Sequence, residues 1–528
     1  MAEKKYCYFF VGFFLLLGLA GCNKSLQHED VSNSITASDN ALIKNSEAKE
    51  TVIYRGDNNI EAVAGAYPWL VWAEDDDQQL KLARLNEPEL AISLLPALNH
   101  DVDLLCLSAD KQGIYDLFIH DGDGFFYQYW LSPEQNKLRL VRRIATNPDI
   151  EHCAFEANEL IYLDPYIGLL TVLRDPETDS ILQRADSSRQ NLIETASLLK
   201  YSWGASMVAA PVLTVQPGKT VSPVMETAPV STAGDAADDP VILVSSQQTW
   251  IVGTNKKRGL AVYDLAGKQQ HFISRGRVNN VDAVPLTQDK FLLAASNRTH
   301  KTIDLFDADL ANDAFVFRSA IAVELDDPYG LCMARVGQEI YIFIGDSEGV
   351  VEQWKLISDV TSAVMIRRFE FASQTEGCVV DAGRQQLYIG EEDHGIWRID
   401  LNSGTKKLVE AITAGRLVAD VEGMDIYQAG DQEYLLASSQ GDNSYMVYQL
   451  NPWAPVGKFT ITADILKGID GASETDGLAV SSVASTGFPT GMLVVQDGRN
   501  RAPEQNQNFK VIDWSLIQAL INQWQQEP

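Results

Sequence analysis

The chain has 528 residues and a formal net charge of −30, with 72 acidic side chains against 42 Lys and Arg. That length allows two to four domains. The charge excludes a nucleic-acid partner, whose phosphates need Lys and Arg to displace counterions. It also disfavours any bare polyanionic substrate, unless cations bridge the two sets of negative charge.

Lys4-Lys5 and the apolar run Tyr8 to Leu17 read as an export signal, and the run is short for a membrane span. Leu19-Ala20-Gly21-Cys22 resembles a bacterial lipobox, which makes Cys22 the lipidated first residue of the mature chain. Asn23 after that Cys fits outer-membrane sorting in a Gram-negative cell, with the lipid as the sole membrane contact. The segment 1–22 is thus a lipoprotein signal. The segment 23–50, polar and rich in Ser and Asn, reads as a flexible tether.

From 51 onward the chain is built of short β-branched and aromatic runs separated by Gly, Asp and Asn turns. It also repeats itself. Asn58-Asn59-Ile60-Glu61-Ala62-Val63 matches Asn279-Asn280-Val281-Asp282-Ala283-Val284. Leu117 to Gly124 matches Ile342 to Gly349, and Glu151-His152-Cys153 matches Glu376-Gly377-Cys378. The repeat makes Cys106–Cys153 and Cys332–Cys378 the natural disulfide pairs in an oxidising compartment, with four buried thiols as the alternative. Residues 51–205 have room for three or four blades of a propeller and 231–528 for six of roughly fifty residues each. The fold expected is therefore all-β: a six-bladed C-terminal β-propeller preceded by an incomplete, diverged propeller-like domain. That domain would dock on the second to cover its open sheet edge. The stretch 206–230, with four prolines from Pro211 to Pro229, reads as a linker. A helix is expected only near the end, capped by Asp513 and burying Leu516, Ile517, Leu520 and Ile521.

Two turns near the C-terminus carry the clearest chemistry: Asp470 to Gly477, and Phe488 to Gly498 with its Gln496-Asp497-Gly498. Short turns crowded with carboxylate and carbonyl oxygen suit a hard cation such as Ca²⁺. Similar acidic turns recur at blade intervals from Asp235.

Taken in order, these segments resemble the β-propeller phytases, the alkaline, calcium-dependent kind. They are Gly234 to Pro240, Thr254 to Leu260, Val278 to Asp282, Ala295 to Arg298, Pro328-Tyr329-Gly330, Gln374 to Gly377, Tyr388 to Glu392, Asp420 to Gly423, Ala437 to Gly441, the two turns above, and Asn506 to Lys510. The resemblance implies hydrolysis of phosphomonoesters of phytate, offered as its calcium complex, by direct attack of a metal-bridged water. It implies active-site calcium ligands Asp238 (or its neighbour Asp239), Glu376, Glu392, Asp420, Glu422 and Asp476, with Gln440 beside them. It implies phosphate clamps Lys256, Lys257 and Arg298, a hydrogen bond from Tyr329, and a structural calcium at Asp470 and Asp497. Several Ca²⁺ ions, catalytic and structural, are the cofactors so implied.

Three residues depart from the family pattern: Ser347 where many relatives have Lys, Arg499 where some have Glu, and Leu243 near the place of a tryptophan. The N-terminal copy has Pro165-Tyr166 in place of Glu391-Glu392 and Ala73 to Asp77 in place of Ser296-Asn297-Arg298, so it is expected to be non-catalytic. Cys378 to Arg384 fits a Cys-x5-Arg phosphatase spacing but leads toward a strand rather than a helix N-terminus. Seven His offer no clustered zinc signature. The remaining competitors are a non-catalytic, calcium-stabilised surface propeller that binds a sugar or protein, and a phosphatase for other phosphomonoesters.

Overall fold

The computed structural model describes residues 34–178 and 219–526, with breaks at 39, 47–48, 67, 75–78, 86–89, 109–112, 151, 157, 358–360 and 414, together with Gln183–Arg184. Cys22 and the export signal lie outside the described residues, as does Glu151. The chain divides into two compact units, up to Thr214 and from Val215 onward.

The N-terminal unit holds one three-stranded and three four-stranded antiparallel sheets. The three-stranded one (Ser34–Ser38, Ala41–Ser46, Lys49–Arg55) occupies much of the stretch expected to be a flexible tether. Strand pairing there runs through the backbone, which a polar composition does not prevent.

The C-terminal unit is a ring of six sheets. Their inner strands are Ala237–Val244, Val278–Pro285, Pro328–Val336, Thr375–Asp381, Val421–Ala429 and Leu478–Ser481, here the openings of blades 1 to 6. These strands pack in that order, and blade 6 returns to blade 1. Each blade buries both faces, so its strands are apolar without strict alternation. Blades 1 and 2 meet through Leu243, Trp250, Val252, Val281, Leu293 and Phe306. The other five interfaces hold equivalent apolar layers. Leu243, fully buried, fills its layer without the family's tryptophan.

The ring closes with strands from its own N-terminal side. Met225–Glu226 pairs antiparallel with Asn508–Asp513 as the outer strand of blade 6, and Thr220–Val221 runs parallel to the edge of blade 5. The expected linker 206–230 therefore overruns the unit boundary and supplies two strands. Proline at 223 sits between them, where its missing N–H disturbs no ladder. Among the described residues there is one α-helix, Trp514–Trp524, capped by Asp513, whose side chain accepts from Ser515 N at 2.8 Å. It buries Trp514, Ile517, Leu520 and Ile521, while Leu516 faces solvent. Trp514 takes the place expected for Leu516 by stacking on Tyr427, ring centroids 3.7 Å apart.

Matching disulfides tie inner strands of adjacent sheets in both units. Cys106–Cys153 and Cys332–Cys378 span 47 and 46 residues, with Cα atoms 6.1 and 5.6 Å apart.

Candidate active site

The site grows out of one recurring irregularity. The first two strands of blades 1 to 5 fall out of register near the start of the inner strand, between Ala237 and Pro240, Val278 and Val281, Pro328 and Leu331, Thr375 and Cys378, and Val421 and Met424. A bulge of this kind frees two residues from the ladder and re-aims their side chains. The first freed residue is Asp238, Asn279, Tyr329, Glu376 or Glu422. In blade 6 the pair Asp476-Gly477 immediately precedes the inner strand.

The second residue is where neighbouring blades touch. A Cβ on Gly377 would lie 2.1 Å from the Glu422 carbonyl oxygen, and one on Gly423 2.4 Å from Leu478 N. Only glycine permits that approach. Blades 1 and 2 carry Asp239 and Asn280 at this position. Asp239 Oδ2 accepts from Val281 N at 3.0 Å, and Asp239 N donates to Thr254 Oγ1 at 2.9 Å. Asp239 therefore fastens blade 1 to blade 2, and of the two neighbours Asp238 is the one left as a candidate ligand.

The first-position side chains gather. Glu376, Glu392 and Glu422 can bring one carboxylate oxygen each within 4.8 Å of one another. Asn279 Nδ2 donates to Glu376 Oε1 at 2.9 Å. Lys256 Nζ sits 2.8 Å from Asp235, 3.2 Å from Asp476 Oδ2 and 3.7 Å from Asp238 Oδ2. Gln440 Nε2 donates to Asp476 Oδ1 at 2.6 Å, and Gln374 holds Glu392 Oε1. Asp420 precedes the inner strand of blade 5, and its carbonyl accepts from Gln440 N at 3.0 Å.

So many carboxylates in so little water resist ionisation. Burial raises Glu376 and Glu422 well above the usual range, and neighbouring carboxylates raise them further: Glu422 beside Glu376, Asp476 beside Glu422. Burial followed by Asp238 pushes Asp476 up to about 7, and burial pushes Glu392 up to about 7. Asp238 is raised chiefly by burial and Asp420 by burial and then Asp393. At Lys256 burial works against the charge, but Asp238 and Asp476 outweigh it and hold the ammonium protonated. The nearby Glu376 and then burial raise the Tyr329 hydroxyl.

The donor set suits a hard cation. Both oxygens of Asp238 and Oε2 of Glu422 are buried with no hydrogen-bond partner. Unsatisfied buried carboxylate oxygens are costly unless a positive charge faces them. Calcium takes oxygen ligands of this kind.

Among the other expected residues, Lys257 donates its ammonium to the Ala233 carbonyl at 2.8 Å. Asp470 and Asp497 are wholly buried in a second cluster, with Lys510 Nζ bonded to Asp470 Oδ1 and 3.2 Å from Asp497 Oδ2. Lys510 also contacts Glu226 Oε2 at 2.5 Å. Asp497 Oδ2 is nevertheless buried with no hydrogen-bond partner, so beside the ammonium the two aspartates keep oxygen atoms suited to the cation expected there. Arg499 pairs with Glu474. Sequence reasoning missed Asn279, Gln374 and Asp327, the last of which grips Arg298. Asn279 and Gln374 both lie in segments matched to the family.

The family profile described as "Phytase" matches residues 189–526. The "3-phytase" of Bacillus subtilis (strain 168) is 35% identical over 355 residues, 62% of this chain and 92% of that protein. Among solved structures, one titled "Crystal structure of Nidogen/Laminin Complex" aligns with a TM-score of 0.32 and 12% identity over 42% of this chain and 79% of its own. One of Saccharomyces cerevisiae Sqt1 aligns with a TM-score of 0.28 and 9% identity over 77% of this chain and 96% of its own. The chain belongs to the phytase family.

Proposed function

We propose that the C-terminal propeller hydrolyses phosphomonoesters of phytate, releasing inorganic phosphate, and that it takes the substrate with Ca²⁺. The family membership supports the reaction. The single observation that supports the metal is the set of orphaned, buried oxygens on Asp238 and Glu422 within an acidic cluster.

Asp238, Glu376, Glu392, Asp420, Glu422 and Asp476 are the residues that would hold calcium, with Gln440 steadying Asp476. Bound there, calcium would neutralise carboxylate and phosphate together, lower the pKa of water and stabilise charge developing at phosphorus. The chain's own groups do the rest. Lys256 fixes a positive charge between Asp238 and Asp476 even before substrate arrives. Arg298 presents guanidinium N–H groups to a phosphate oxygen, and Arg suits that fork geometry. Glu392, half-buried, is raised by burial in the metal-free protein, and calcium bound there would hold it as the carboxylate. Tyr329 stays protonated and donates.

We further place the enzyme outside the cytoplasm, lipid-anchored through Cys22. The lipobox-like motif and two disulfides support that reading.

Phosphate release from calcium phytate, measured with Ca²⁺ and with excess chelator, tests the proposal. Release that vanishes in chelator and returns on adding Ca²⁺ is the expected result. Equal release in both conditions defeats the metal assignment, and no release in either defeats the reaction.

A further inference from the structure

Two cations flank the acidic cluster, and they behave differently. Lys256 has collapsed onto the carboxylates, as a long flexible cation should. Arg298 has not. Its backbone follows the second strand of blade 2, Lys290–Asn297, and Arg298 N is tied to the Arg277 carbonyl at 2.8 Å. Its guanidinium is held from behind. Nε donates to Asp327 Oδ1 at 2.9 Å and Nη2 donates to Asp327 Oδ2, a two-pronged grip. Nη1 donates to Asn279 Oδ1 at 3.3 Å, and the Tyr329 ring lies beneath, 4.7 Å from centroid to guanidinium carbon.

Asp327 stands one residue before the inner strand of blade 3, so it is anchored on a different blade from the arginine it holds. The bond to Arg298 lowers its pKa, which keeps the carboxylate charged throughout the neutral range. Five N–H hydrogens belong to a guanidinium. The three contacts above use three and leave two for an incoming oxygen. Asn279, also bonded to Glu376, fixes that free edge relative to the acids.

We propose that Asp327 is a positioning residue for this reaction: it restrains Arg298 against the pull of Glu376 and Asp238, and keeps two guanidinium N–H groups aimed at substrate phosphate. The inference rests on the reading of Arg298 as a phosphate clamp. The sequence does not separate Asp327 from neighbouring Asp326, which pairs with the surface Lys301.

The test is steady-state kinetics on calcium phytate with the full chain, alongside calcium binding by calorimetry and thermal melting. Asp327→Ala is expected to lower kcat/KM by roughly 10- to 100-fold, the worth of charge-assisted hydrogen bonds, mainly through a higher KM. Calcium stoichiometry and melting temperature should not change. Asp327→Glu should recover most of the loss, and Asp327→Asn, which keeps the volume and one acceptor, should fall between. In an Arg298→Ala background, Asp327→Ala should cost less than about twofold, since the two residues act as a unit.

A lower KM in Asp327→Ala would overturn the proposal, because the carboxylate would then be competing with phosphate. So would an undiminished loss in the Arg298→Ala background, which would mean Asp327 acts through the fold. Arg298→Ala with full turnover would remove the clamp reading itself, and this inference with it. An impaired Arg298→Ala beside a harmless Asp327→Ala would overturn the inference alone.

Discussion

The two units descend from one pattern and have kept different parts of it. Both tie adjacent inner strands with a disulfide. Both use an aspartate to cap the same tight turn. Asp121 Oδ1 accepts from the N–H groups of Asp123, Gly124 and Phe125, and Asp346 Oδ1 from those of Glu348 and Val350. They diverge at the inner strands. Asp282 turns inward and takes Met333 N of the next blade at 2.7 Å, whereas its counterpart Glu61 is exposed. Arg298 has Ala73 to Asp77 opposite it in the N-terminal copy, and Glu392 has Tyr166, which is exposed. Both units therefore share the staple, the turn caps and buried apolar layers between sheets. The site needs more: carboxylates freed by bulges, with glycines letting the blades close around them.

The largest effect should come from the carboxylates themselves. Glu422→Gln is expected to lower phytate turnover on the order of a hundred- to a thousandfold. Asp121→Asn in the N-terminal unit should leave kcat/KM unchanged. Lost turnover in Asp121→Asn would break the contrast drawn above.

Next comes the glycine at the blade contact. Gly423→Ala puts a methyl group against Leu478 N and should destabilise the C-terminal unit by about 1–3 kcal/mol. In a melt with two transitions, only one should move. A shift of both would mean the units do not unfold separately.

The smallest effect is that of pH on the calcium-free protein. Glu392 and Asp476 titrate near 7, and the interblade acids Asp282 and Asp425 near 6 and 7, in each case chiefly through burial. Unfolded carboxylates release their protons near pH 4. The folded state thus binds more protons between about pH 4 and 7. Its stability from these groups is complete below pH 4 and is lost as pH rises through 7. In chelator the C-terminal transition should fall as pH rises from about 4 to 7 and level off above that, and added Ca²⁺ should flatten the slope. A slope that calcium leaves untouched would assign it to Asp282 and Asp425 rather than to the site.

Half of the cluster was legible as an acid followed by a glycine at or just before the start of an inner strand, in Glu376-Gly377, Glu422-Gly423 and Asp476-Gly477, whereas Asp420 and Glu392 were named only through the family resemblance. Local spelling and local geometry coincide there. What could not be read depends on partners distant in the chain. Lys510 reaches Asp470 across 40 residues, and Arg298 reaches Asp327 across 29. Lys257 read like its neighbour Lys256, but the two ammonium groups take different partners. Leu516 lost its buried place to Trp514 because the helix packs on blades 5 and 6, whose position the local pattern does not contain.

The strand Met225–Glu226 works as a clasp, and a clasp fastens only when both halves exist. During synthesis, its partner Asn508–Asp513 emerges nearly three hundred residues later. Until then every earlier blade waits in an unsealed circle, and a stop codon anywhere ahead of Asn508 leaves it unsealed for good. Closure of the C-terminal ring therefore waits on the last few dozen residues of the chain.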